Sequence, residues 1–90
     1  MTAFLVERYL SGSGADDLAG LIARLRTESR LGSAIYLGSI YVPVDEACLC
    51  RFEAVDAESV AVVNDRARAG YSRLVECQWL PADKASEAPE

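Results

Sequence analysis

From Cys48 to Ala54 the chain reads CLCRFEA, and this alternation constrains the fold more than any other feature of the sequence. Side chains on an extended strand point to opposite faces in turn, so Cys48, Cys50 and Phe52 share one face while Leu49, Arg51 and Glu53 share the other. The segment Ala3–Leu10, AFLVERYL, alternates in the same way. Phe4 and Val6 form its apolar set, and Leu5, Glu7 and Tyr9 lie opposite. Strands of this kind belong to a sheet covered on one face only.

What covers it is legible between the strands. Ser11-Gly12-Ser13-Gly14 is a turn, and Asp16 and Asp17 then place negative charge where a helix N-terminus favours it. Leu18, Leu21, Ile22 and Leu25 follow at helical spacing, with Arg24, Arg26, Glu28 and Arg30 on the solvated side or at the end, and Gly32 as the stop. Ile35–Val44 is a second strand, with Pro43 suited to its end. Asp45-Glu46 reverses the chain into the third strand, Cys48–Ala54. Asp56 caps a second helix that carries Glu58 in its first turn and Val60, Val63 and Ala67 on one face, and Gly70 ends it. Arg73–Leu80 is the fourth strand. The order β-α-β-β-α-β predicts an α+β, ferredoxin-like fold: an antiparallel sheet of order 4-1-3-2 with two helices on one face. Residues 1–80 form one domain and residues 81–90 a disordered acidic tail.

Composition narrows the chemistry. The 90 residues include 9 basic and 14 acidic side chains and no histidine, for a net charge of −5. Nucleic acid is not expected as a partner, because phosphate backbones call for clustered Lys and Arg. Without histidine there is no Ser-His-Asp or Cys-His pair, and no imidazole base or ligand. The longest near-apolar run, Ala34–Pro43, is half a membrane span, and Glu7 and Arg8 interrupt the first ten residues where a secretion signal would be apolar. A cytoplasmic protein without a membrane partner is expected. Cys48, Cys50 and Cys77 are an odd set, read as reduced core thiols.

The uncovered face is where function is expected. Leu5, Glu7 and Tyr9 meet Leu49, Arg51 and Glu53 there. The second strand adds either Tyr36, Gly38 and Ile40 or Leu37, Ser39 and Tyr41, and the fourth adds either Glu76 and Gln78 or Val75, Cys77 and Trp79. A face so apolar calls for a homodimer packed sheet against sheet, an α+β barrel with an interior. Tyr9, Tyr36, Tyr41 and Trp79 line an apolar pocket or pack the interface. Glu7, Glu53 and Glu76 either gather as carboxylates, for a divalent metal or as a raised-pKa general base, or, in the plainer case, Glu7 or Glu53 pairs with Arg51 across neighbouring strands.

Several short stretches, weak singly and more specific in their order and spacing, resemble a known family. They are Phe4-Leu5-Val6-Glu7-Arg8, Gly38-Ser39, Cys50-x-Phe52-x-Ala54, Glu58-Ser59-Val60, Arg68-Ala69-Gly70 and Arg73-Leu74-x-Glu76. Across most of Ala3–Cys77 the sequence is similar to the small nickel-responsive, ferredoxin-like proteins of actinobacteria. The resemblance implies the fold and a metal- or ligand-responsive role. It departs at Gly38, where family members carry a histidine, at Asn64 or Asp65, where some carry a second, and in the shorter loop Gly70–Arg73. Nickel binding therefore does not carry over onto these residues.

The sequence thus predicts a small non-enzymatic binding or sensor-type protein, with a ligand site in or near a homodimer interior. Its candidate residues are Glu7, Tyr9, Tyr36, Ser39, Tyr41, Arg51, Glu53 and Glu76; no cofactor is required. The alternatives are a cofactor-independent oxygenase or isomerase acting on a small aromatic substrate, and a purely structural interaction module.

Overall fold

A computed structural model describes residues 1–10 and 15–80, with the side chains of Ala15 and Asp16 left out. The Ser11–Gly14 turn, the charge of Asp16 and the tail over 81–90 lie outside the described residues. The elements are β1 (Thr2–Tyr9), α1 (Ala15–Leu31), β2 (Ala34–Val42), a short 3-10 turn (Pro43–Asp45), β3 (Ala47–Ala54), α2 (Ala57–Arg66) and β4 (Arg73–Cys77). The sheet order β2-β3-β1-β4 is the expected order read from the opposite edge, and all neighbours run antiparallel.

The alternation in β1 and β3 is realised as drawn. Phe4, Val6, Cys48, Cys50, Phe52 and Ala54 form one buried cluster with Leu21 and Leu25 of α1 and Val60 and Val63 of α2, so both helices cover the same face. The Phe52 ring is closed off from solvent, and Tyr36 tilts against it at a centroid distance of 5.3 Å. Helix α2 starts as its sequence dictates: the Asp56 carboxylate accepts hydrogen bonds from the Ser59 backbone N–H (2.9 Å) and hydroxyl (2.7 Å), which hold its carboxyl below the usual range. The end of α1 is tied to β2 by Ser29, whose hydroxyl donates to the Ala34 carbonyl (2.6 Å) and accepts from the Tyr36 N–H (2.9 Å).

Three local features differ from the sequence reading. In β2, Tyr36 sits opposite Phe52 but Gly38 sits opposite Arg51, so Leu37 is an extra residue in a β-bulge. The bulge reverses the alternation, which turns Tyr36, Ser39 and Tyr41 towards the helices. Gly38 takes φ 138°, a backbone conformation that favours glycine. Helix α2 ends before Gly70: Ala67 is its cap, and Arg68 supplies the left-handed residue at φ 56°. Finally, β4 stops at Cys77, three residues before the expected end at Leu80.

Candidate functional site

The sheet face turned away from the helices is built from four strands in register. Leu5 lies between Arg51 and Val75, Glu7 between Leu49 and Arg73, and Ala3 between Glu53 and Cys77. Ile35 and Ile40 of β2 extend this surface opposite Glu53 and Leu49, and about half of each is exposed. Glu7, Arg73 and Arg51 are engaged within the surface. Glu7 Oε1 accepts from Arg73 Nε at 2.9 Å, and Glu7 Oε2 accepts from the Tyr9 hydroxyl at 3.0 Å. That hydrogen bond, reinforced by the negative charge of Glu7, raises the Tyr9 phenol above its ordinary pKa. The Arg51 guanidinium carbon lies over the Trp79 ring, 3.6 Å from its centroid. Arg51 was expected to pair with Glu7 or Glu53; Arg73 takes Glu7 instead, because β4 is paired to β1 on the side away from Arg51.

The eight candidates therefore separate. Glu7, Tyr9, Arg51 and Glu53 share the open face. Tyr36, Ser39 and Tyr41 lie on the helix side through the β2 bulge. Glu76 pairs with Phe4, so it too belongs to the helix-side parity, at the exposed margin of β4. Of the two settings left open for the fourth strand, the structure takes Val75 and Cys77 for the open face.

A second polar group, which sequence reasoning missed, is buried under the helices. Arg8 follows Phe4 and Val6 in the same parity and is 2% exposed. Its Nη2 donates to Asn64 Oδ1 at 2.6 Å and its Nη1 to the Ala69 carbonyl at 3.0 Å. Asn64, also sealed from solvent, donates through Nδ2 to the Val60 carbonyl at 2.9 Å. The alternation of β1, which puts Arg8 in the parity of Phe4 and Val6, is the signal that could have found it. Beside it, Cys48 Sγ and Cys50 Sγ lie 3.9 Å apart, and Cys50 Sγ is 2.9 Å from the Ser39 hydroxyl, which is itself hydrogen-bonded to Tyr36. The Cys48 thiol donating to Cys50 draws the Cys50 pKa down to about 6, with Ser39 and the Arg8 charge acting in the same direction. The same bond, together with burial, pushes Cys48 up. Burial raises Tyr36 as well. Cys77 lies on the opposite face of the sheet, so the three thiols do not meet.

The three carboxylates expected to gather for a divalent metal do not meet. Glu7 is held by Arg73 and Tyr9, Glu53 projects from β3, and Glu76 faces the other way. Among the described residues no three Cys, Asp or Glu side chains converge on one point. No helix among them is long and apolar enough to cross a membrane.

No known protein family matches the sequence, and no curated protein does. A solved structure does match the fold. SCO4226 from Streptomyces coelicolor A3(2) superposes with a TM-score of 0.77 over 87% of this chain and 98% of that chain, at 18% sequence identity. The four-stranded ferredoxin-like α+β architecture is common to both.

Proposed function

We propose that this chain is a small non-enzymatic binding protein, whose ligand chamber forms when the open sheet face meets that of a second copy. The observation that carries the reading is the makeup of that face. Leu5, Leu49, Ile35, Ile40 and Val75 surround charged groups that are already matched, Glu7 with Arg73 and Arg51 with Trp79. Covering such a face removes aliphatic surface from water and leaves few charges to strand. A two-fold axis would match each patch to itself. The Arg51–Trp79 pair offers a stacking platform for a small planar, largely apolar ligand. Catalysis is not part of the reading, because the carboxylate best placed for it, Glu7, already accepts from both Arg73 and Tyr9.

Trp79 is the chain's single tryptophan and reports on this surface directly. Titration with a neutral naphthol should change its fluorescence saturably, and Arg51→Ala should weaken the binding. A response that is non-saturable, or identical in Arg51→Ala, would overturn the assignment of the ligand platform.

A further inference from the structure

On the helix side, the largely buried Arg8 is one of the residues lining a cleft of about 350 Å³ between the start of α1, the end of β1 and the loop after α2. This is the small end of the size range of ligand pockets. Arg24 of α1 and Arg68 of the loop line the same cleft, so three arginines from three separate elements border one space, in which Asp17 is the carboxylate among the described residues. The protein as a whole carries a net charge of −5, which makes this concentration of positive charge a local exception.

The groups are also held in place. The Arg8 Nη atoms are fixed by Asn64 and Ala69, and Arg24 Nε donates to the Ala67 carbonyl at 2.7 Å. Those bonds use carbonyl oxygens that would otherwise repel an anion. Gly20 leaves room for Arg24: a Cβ there would meet Arg24 Nη1 at 3.5 Å.

We propose that this cleft is an anion site that takes a phosphate group, free or as a small phosphomonoester, with Arg8 at its floor and Arg24 and Arg68 at its rim. Guanidinium forks match the oxygen geometry of phosphate, and a water-shielded floor strengthens the attraction relative to an exposed arginine. The site is separate from the open sheet face, so it stands or falls independently of that reading.

The test is an amide-resolved NMR titration of the whole chain with inorganic phosphate at constant ionic strength set by sodium chloride, repeated with glycerol 3-phosphate. Saturable shifts confined to Gly20, Ala69 and Gly70 are expected. Arg24→Gln and Arg68→Asn should each weaken binding about tenfold, the loss of one charge-assisted hydrogen bond. Both side chains are exposed, so these variants are expected to fold, whereas Arg8→Gln would confuse binding with stability. Tighter binding of glycerol 3-phosphate points to a phosphorylated metabolite, and equal binding to phosphate itself. Shifts that are absent, that are spread over the surface, or that persist unchanged in both variants overturn the proposal.

Discussion

Replacing Asn64 by leucine tests the buried polar group with little change in volume. In the native chain Asn64 Oδ1 accepts from Arg8 Nη2 at 2.6 Å in a region sealed from water. Leucine removes that acceptor and leaves a charged N–H buried without a partner, which costs about 1.5–3 kcal/mol. Loss of the Asn64 Nδ2 bond adds little, since it reaches back only one turn to Val60 within the same helix. For a domain of this size, 1 kcal/mol moves the melting temperature by about 4–8 °C, so a fall of roughly 6–24 °C is expected. Asn64→Asp keeps an oxygen facing Arg8 and should lie within about 1 kcal/mol of the native chain. Urea unfolding followed by far-ultraviolet circular dichroism measures both, at one fixed protein concentration so that any self-association contributes equally. If Asn64→Leu unfolds within about 0.5 kcal/mol of the native chain, Arg8 does not depend on this acceptor and the argument for a dry, organised guanidinium fails.

Gly38→Ala should destabilise by about 1 kcal/mol although a Cβ there meets nothing within 4 Å, because φ 138° is costly for any side chain; the same urea assay reads it. Glu7→Gln should lower the Tyr9 phenol towards its ordinary value, since the glutamate raises it through its hydrogen bond and its charge; ultraviolet titration against a Tyr9→Phe reference measures the change. Thiolate absorbance near 240 nm should be present at neutral pH and fade as the pH falls through about 6, and Ser39→Ala should move that midpoint upwards. Absorbance that appears only above pH 8 would show that Cys48 does not donate to Cys50.

The parts of the fold that could be read from sequence are those where one periodicity governs a whole element. Phe4 and Val6 in β1, and Cys48, Cys50 and Phe52 in β3, alternate without interruption, and their burial follows. Leu21 and Leu25 do the same for α1 at helical spacing. Strand β2 resisted because no single phase describes it: the extra residue at Leu37 lets Tyr36, Ser39 and Tyr41 all face the helices. The end of α2 was misplaced because Gly70 is the better left-handed residue by its own preference. Tertiary contacts settle the matter earlier, with the Ala67 and Ala69 carbonyls anchored by Arg24 and Arg8. Glu76 was grouped with Glu7 and Glu53 on charge alone, and the register of β4 separates them.

Sedimentation equilibrium across a range of concentrations tests the pairing of open faces most directly. The account predicts a species of twice the 9.7 kDa chain mass, returned to a single chain by Ile40→Asp on the exposed sheet face. A well-folded native protein that stays at 9.7 kDa at the highest concentration, indistinguishable from Ile40→Asp, would contradict it.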